Sequence, residues 1–429
     1  MKEKIRTFLS SKLIKHSFVF VLADVINKVI PFLLLPILTQ YLSPADYGTI
    51  ASFNSLIAVL AVLIGLSVHG AVNVNYYKLS KTELSSFIGN VVLILISSTI
   101  IVSALVYIFK FQLEEYLKFP WQWFFVAVII SLGSFLVTIN LTLWIAEQQP
   151  KKFGIFNILD TLLKLSMSLW FIVILAMDWR GRILAMLIGT VIMATVSLAI
   201  LWRRGYLKFQ YDELHIKDAL HFGLPLVPHQ LSGWLRNGAI IIILVNIIGQ
   251  SNTGLYDVGF KIASILGFLT VAFNKAYQPY LFRKLKAIPS LNIKENIVKQ
   301  AYAYIFLLLI AATGLTLISP YLITYILDPR FANSYIYVGY ISFALAFKGM
   351  NHMVGGYIFY EKKTKYLAYI TFFVSLIHIA IAYVLIQEYG ALGAAQASLF
   401  SFFLSFLMVW YYSNKVYPMP WFSVWKRKE

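Results

Sequence analysis

The run LSSFIGNVVLILISSTIIVSALVYIF, residues 84–109, carries no charged side chain. A helix rises about 1.5 Å per residue, and a bilayer core about 30 Å thick is crossed by roughly twenty apolar residues. This stretch is therefore long enough to span a membrane. It must do so as a helix, because hydrocarbon offers the backbone no other hydrogen-bond partners. Working outward, comparable runs separated by short polar breaks predict helices at 17–41, 45–74, 83–109, 121–146, 153–177, 181–203, 219–249, 254–282, 297–327, 331–359, 364–388 and 391–414. Composition agrees: 60% of the 429 residues are hydrophobic and 13% charged, whereas soluble chains are usually about 45–50% apolar and about 25% charged. Little room is left for a soluble domain. Cysteine is absent, which excludes disulfides, thiol nucleophiles and cysteine-bound metals.

The first sixteen residues are polar and basic, and the apolar stretch after them runs past Asp24, Lys28, Pro31 and Pro36 without a small-residue cleavage site. It is expected to remain as the first helix. Gaps that begin with the one between helices 1 and 2, and then alternate, contain five basic residues: Lys110, Lys118, Arg180, Arg182 and Arg330. The termini and the other gaps contain twenty-four, from Lys2, Lys4, Arg6, Lys12 and Lys15 through Arg203, Arg204, Lys208 and Lys217 to Lys415, Lys426, Arg427 and Lys428. Basic loops are retained on the cytoplasmic side, so this bias places both termini inside and agrees with an even number of spans. The formal charge of +18 then reflects cytoplasmic loops and anionic lipid headgroups and not nucleic acid.

The longest break divides the chain into 1–204, a six-helix bundle, a cytoplasmic linker 205–218, and 219–429, a second six-helix bundle. The halves match weakly in register. Pro44-Ala45-Asp46-Tyr47-Gly48 has its counterpart in Thr253-Gly254-Leu255-Tyr256-Asp257, Gln149-Pro150-Lys151-Lys152-Phe153 in Lys362-Lys363-Thr364-Lys365-Tyr366, and Gly181 in Gly390. A duplicated all-α membrane protein of about twelve helices is expected, with a site between its halves.

Leaving aside the two residues at each end, seven basic residues fall inside the expected spans: Lys28, Lys164, Arg236, Lys261, Lys275, Lys299 and Lys348. Three acids are similarly placed: Asp24, Asp160 and Asp257. Each charge near the bilayer centre costs about 2.5–3.5 kcal/mol on insertion scales. The couples Asp24–Lys28, Asp160–Lys164 and Asp257–Lys261 are four apart, on one helix face, and either neutralise themselves or line a polar cavity. Lys299 is one turn inside its helix and can snorkel, and Lys275 is open to the same reading. Arg236 has Ser232, Gly233, Ala239 and Ile240 at three and four positions, so no acid on its own helix turn can neutralise it. Its repeat counterpart is Asn27-Lys28. Arg236, Lys28 and Lys348 are thus the leading candidates to meet an anionic substrate, followed by Lys261, Lys164 and Lys275. A guanidinium suits phosphate because its planar donors reach two oxygens at once. The excess of cations over acids argues against a cationic cargo.

Pro31, Pro36, Pro225 and Pro228 remove backbone donors at related places in both halves, as kinks that bend during transport or as the prolines that membrane helices tolerate. Trp144, Trp170, Trp234, Tyr256 and Phe260 could stack on sugars or simply pack. His69, His229, His352 and His378 are scattered without metal-ligand spacing, and Glu114 and Glu115 lack a nucleophile or metal partner. No P-loop and no cofactor motif is present, so an ion gradient, of protons or sodium, or the product gradient would have to supply energy.

The segment Leu35-Pro36-Ile37-Leu38-Thr39-Gln40-Tyr41-Leu42-Ser43-Pro44-Ala45-Asp46-Tyr47-Gly48, the break Ala146-Glu147-Gln148-Gln149-Pro150-Lys151-Lys152-Phe153 and the opening Gly390-Ala391-Leu392-Gly393-Ala394-Ala395 resemble the polysaccharide-exporter branch of the multidrug/oligosaccharidyl-lipid/polysaccharide (MOP) superfamily, and within it the Wzx-type O-antigen or capsule repeat-unit flippases. The resemblance implies a MATE/MOP-like fold in the bacterial inner membrane. It also implies movement of an undecaprenyl-pyrophosphate-linked oligosaccharide to the periplasmic leaflet by alternating access through a cationic central cavity, alongside polysaccharide assembly proteins. No residue carries over as an established ligand, because the branch has no short site signature. The rival readings are a multidrug exporter of the same superfamily, a peptidoglycan-precursor flippase, for which twelve spans are too few, and a membrane polymerase or glycosyltransferase, for which the outer loops are too short.

Overall fold

The computed structural model describes residues 25–27, 29–286 and 290–422. Asp24 and Lys28 lie outside the described residues. Among the described residues the chain is helical throughout, with no strand. Among the described residues, nine helical stretches are long and apolar enough to cross a membrane. One of these, Glu213–Lys286, has 74 residues, enough for two crossings at about twenty residues each. The helix Tyr335–Tyr360 is as long as a span, with 26 residues, but is not among those nine.

The chain divides into two compact units, Met1–Asn246 and Ile247–Glu429. In the first, α1 (Leu35–Tyr41) leads into α2 (Pro44–Gly65). The junction is built by Ser43, whose hydroxyl accepts from the Asp46 N–H while the Asp46 carboxylate accepts from the Ser43 N–H, a reciprocal cap with Pro44 at the first helical position. The expected helix 45–74 is two elements, α2 and α3 (Val68–Asn75). Leu66 and Ser67 between them are left-handed, at φ 44° and 58°. Ser98 donates to the Ile64 carbonyl beside the break at 2.7 Å, and Gly223 packs so close to the Leu66 carbonyl that a Cβ there would come within 2.1 Å of its oxygen.

The unit continues through α4 (Lys81–Ile108), α5 (Lys110–Leu117), α6 (Gln122–Ala146), α7 (Pro150–Leu169), a π-helical turn Trp170–Ile174, α8 (Trp179–Arg203) and α9 (Glu213–Gly223). α6 packs on α2, α4 and α8, and α8 packs on α7. Phe53, Ile88, Leu95, Phe124, Ile139, Leu143 and Ile183 fill the core. Large apolar side chains such as Ile100, Ile101 and Ile108, all more than 60% exposed, form a surface that would be untenable in water and is ordinary against lipid.

The segment expected as a linker lies on this unit. The Lys208 N–H donates to the Ser85 carbonyl, Asn90 donates to the Gln210 carbonyl, and the Asp212 N–H donates to the Asn90 side-chain oxygen. Gly89 permits this close approach, because a Cβ there would sit 2.0 Å from the Lys208 carbonyl oxygen. α9 begins within the same segment, capped by Asp212, which accepts from the N–H groups of Leu214 and His215. Pro225 falls in a 3-10 turn, Leu224–Leu226, and Pro228 at the start of α10 (Val227–Lys286), so both prolines mark a helix junction.

Helices expected at 219–249 and 254–282 meet at a kink at Gly249. α10 runs through both, with Gly249 at φ 80° and ψ 172° as its non-helical residue. A conformation at positive φ suits glycine, which lacks a Cβ. The first unit holds α10 up to Asn246, where the Asn246 side chain donates to the Tyr116 carbonyl at 2.6 Å. In the second unit α11 (Leu291–Ile326), α12 (Tyr335–Tyr360), α13 (Thr364–Tyr389) and α14 (Ala391–Val416) complete the chain of helices. α14 packs on α12 and α13, and α11 packs on α12. Its core contains Leu281, Val298, Ala312, Val354, Tyr357 and Val409. Gly393 brings α14 against the end of α13, where a Cβ would meet the Leu385 carbonyl oxygen at 2.0 Å.

Candidate functional site

In the first unit, the charges of α7 form a line with a partner on α8. Asp160 and Lys164, one turn apart, are ion-paired at 2.7 Å. Ser168, the next turn along, donates to the Lys164 carbonyl at 2.7 Å. Arg182 of α8 then donates through Nη1 to the Ser168 hydroxyl oxygen at 2.6 Å. Farther along α8, Gly189 makes room for the Lys164 stem, since a Cβ there would meet Lys164 Cγ at 2.6 Å. Residues advancing along α7 from 164 to 168 thus meet residues receding along α8 from 189 to 182, so the helices run antiparallel with a polar seam between them.

The seam carries one acid and two cations. Lys164 and Asp160 are largely buried, with side chains 21% and 15% exposed, and Arg182 is half-buried. No carboxylate forms an ion pair with Arg182 among the described residues, whereas its neighbour Arg180 pairs with Asp178 at 3.0 Å. Tyr47 of α2 lies near enough to Arg182 for the two groups to interact. The π turn Trp170–Ile174 interrupts α7 one residue beyond Leu169, next to the seam, and α1 packs against it. Such turns frequently occur at functional sites.

Arg182 counts with an outer gap although it is the second residue of the expected helix 181–203, and the structure starts that helix two residues earlier, at Trp179. Asp178 caps α8 by accepting from the Arg180 N–H, so the helix begins at Trp179 and Arg182 stands one turn inside it. The aspartate immediately before an apolar run is the sequence signal for that cap. Arg236 is half-buried in the part of α10 that belongs to the first unit. The helix there is anchored to α2: Trp234 Nε1 donates to the Ser55 carbonyl at 3.0 Å, and the Ser55 hydroxyl donates to the Gly238 carbonyl at 2.8 Å. Trp234 is thereby occupied in packing. Trp144, 4% exposed, meets Phe156 edge-on, while Trp170 is exposed.

In the second unit, Lys261 is ion-paired with Asp257 one turn earlier on α10. Lys275 is exposed farther along α10, and Lys299 is exposed on α11. Lys348 on α12 is half-buried, its ammonium 6.0 Å from the centre of the Phe402 ring of α14. On the same face of α12, Asn351 donates to Ser405 of α14 at 2.8 Å, and His352 buries an Nε2 that has no hydrogen-bond partner among the described residues. His378 lies between α13 and α14, its Nδ1 3.0 Å from the Ser401 hydroxyl. Tyr256 packs on Phe260 and Tyr337. The structure thus joins Asp160 and Lys164 with Arg182 in the first unit. In the second it places Asp257 with Lys261, and Lys348 with aromatic and polar groups of α14.

A model of the family described as "Polysaccharide biosynthesis protein" matches residues 13–285. An "Uncharacterized membrane protein" of Haemophilus influenzae is 26% identical over 376 residues, covering 86% of this chain and 89% of the relative. The fold is similar to that of a multidrug resistance MATE family transporter of the MOP superfamily. In its inward-facing conformation the TM-score is 0.70 at 14% identity, covering 93% of this chain and 94% of that one. For an outward-facing multidrug resistance MATE family transporter of the MOP superfamily the TM-score is 0.59 at 16% identity, covering 94% and 95%. With nearly two thirds of its length inside the family model and a MATE-like all-α fold along almost all of it, the chain belongs to the polysaccharide biosynthesis protein family, as a multi-pass membrane protein.

Proposed function

We propose that this protein is a flippase for undecaprenyl-pyrophosphate-linked oligosaccharide repeat units, carrying them from the cytoplasmic to the periplasmic leaflet of the bacterial inner membrane by alternating access. Family membership supports a cargo from polysaccharide assembly. The observation that carries the anionic headgroup is Arg182, a guanidinium inside a membrane helix whose hydrogen-bond partner is a neutral serine. A cation so placed is costly unless something anionic visits it, and its donors match two phosphate oxygens at once. Arg236 and Lys348 extend the same chemistry, and so does Lys28 from its place in the sequence. Asp160–Lys164 and Asp257–Lys261 are internally compensated pairs that keep α7 and α10 polar without adding net charge, and their carboxylates are the candidates for ion coupling.

A drug exporter is the second reading, suggested by the multidrug transporters that share the fold. It is disfavoured by the sign of the buried charge. The two are separated in a host lacking its own repeat-unit flippase: surface polysaccharide should be restored by the wild type and lost with Arg236→Ala or Arg182→Ala at equal membrane abundance. Full restoration by both variants would remove these arginines from the headgroup path.

A further inference from the structure

Where α10 ends and α11 begins, the second unit contains a cavity of about 290 Å³. Lys284, Lys299, Asn296, Gln300 and Tyr280 supply its polar lining, over Ile297 and Ile293. No acid lines it. Both lysines are exposed, and neither forms an ion pair among the described residues, although Glu295 stands one turn before Lys299. Lys284 is oriented by the Tyr280 ring, 5.8 Å from its centre, and the Tyr280 hydroxyl accepts from the Gln300 amide at 3.2 Å. Two cations, two amides and a phenol converging on one hollow can surround a phosphate with donors.

The surface beside this hollow decides what kind of phosphate. Lys299 shares its helix face with Ala303, Phe306 and Ile310, at four, seven and eleven residues beyond it. Phe306 is 66% and Ile310 51% exposed, with Leu307 flanking them. A basic hollow thus opens directly onto an apolar stripe that runs up the membrane-crossing part of α11. A free anion would use the hollow alone, whereas a phospholipid would place its headgroup there and lay its chains along the stripe. The charge bias of the loops assigns this end of the unit to the cytoplasmic leaflet, where anionic lipids and basic pockets between helices meet.

We infer that the hollow between the end of α10 and the start of α11 is a binding site for the headgroup of an anionic membrane phospholipid. It is a resident-lipid site, and it does not depend on what the protein carries. The test is a titration of the purified full-length protein with short-chain phosphatidylglycerol, short-chain phosphatidylcholine and inorganic phosphate. Three forms are compared: wild type, Lys284→Gln/Lys299→Gln, and Lys362→Gln/Lys363→Gln as a control with the same charge change on other exposed lysines. Phosphatidylglycerol should bind the wild type and the control equally and the pocket variant about thirtyfold more weakly, the loss expected of two lysines near an anionic lipid surface. Phosphatidylcholine should not compete. Equal binding by the pocket variant, or equal binding of the two lipids, would overturn the site. Competition by inorganic phosphate as strong as that by phosphatidylglycerol would overturn the lipid assignment. Because the substituted lysines are exposed, a circular-dichroism melt should show all three forms equally folded.

Discussion

Arg182 of α8 donates to the Ser168 hydroxyl of α7 at 2.6 Å, and that hydroxyl in turn donates to the carbonyl of Lys164. A guanidinium is thereby held in one orientation by a neutral group, with its remaining donors available to a ligand. Arg182→Ala should reduce headgroup translocation at least about tenfold, the scale of one lost charge-assisted contact. Arg182→Lys should recover part of it, because charge is kept and the planar fork is not. Ser168→Ala should weaken apparent substrate affinity more than turnover, since it releases the orientation of the guanidinium while leaving its charge. These are readable as initial rates against substrate concentration in proteoliposomes; identical kinetics for all three variants would deny Arg182 a part.

Glu147, at the end of α6, is ion-paired with Arg204 at the end of α8, its side chain 7% exposed against 23% for the arginine. The arginine also lies 4.8 Å from the centre of the Tyr206 ring. Removing one partner leaves the other charge poorly solvated. Glu147→Gln or Arg204→Met alone should cost about 3 kcal/mol, and the double variant clearly less than the two singles combined. Thermal melts of detergent-solubilised protein check this, and additive losses would contradict the coupling.

Gly89 holds the 206–212 segment against α4 by having no side chain. Gly89→Val should force that backbone away, at about 1–3 kcal/mol, and make the segment a site of early proteolysis. Limited digestion of wild type and variant should then differ first at residues 205–212. Unchanged digestion would show that the segment is held in some other way.

Gly249 interrupts α10 at φ 80° with nothing within 4 Å of where a Cβ would stand, so space is no obstacle there and backbone conformation is. Gly249→Ala should therefore lower stability by about 1 kcal/mol through strain alone. Gly249→Asn, which tolerates positive φ better, should lose less. A melt in which alanine and asparagine behave alike would remove the conformational argument.

Helix geometry made the spans and the charge pairs legible in the sequence. Asp160–Lys164 and Asp257–Lys261 are paired because residues four apart on a helix must be neighbours, and the spans came from the length of apolar runs. Arg182 counts with the gap because a cation at the edge of a span and one a full turn inside it differ only by where Asp178 caps the helix. Nothing in the run 45–74 marked Leu66 and Ser67 as left-handed, since neither is a glycine. The groups that meet the break, the Ser98 hydroxyl and the backbone at Gly223, are distant in sequence. The π turn at Trp170–Ile174 is likewise silent in composition. The pinned 206–212 segment depends on Asn90, a single polar side chain within the longest apolar run.

The central claim is that basic groups inside the spans carry a lipid diphosphate. The most direct measurement is the rate at which purified protein in liposomes moves a fluorescent undecaprenyl-pyrophosphate-linked oligosaccharide between leaflets, with a cationic dye as the competing cargo. Protein-dependent movement of the diphosphate lipid, abolished by Arg182→Ala/Arg236→Ala and absent for the dye, is the predicted result. Movement of the dye in place of the lipid, or lipid movement indifferent to both arginines, would contradict it.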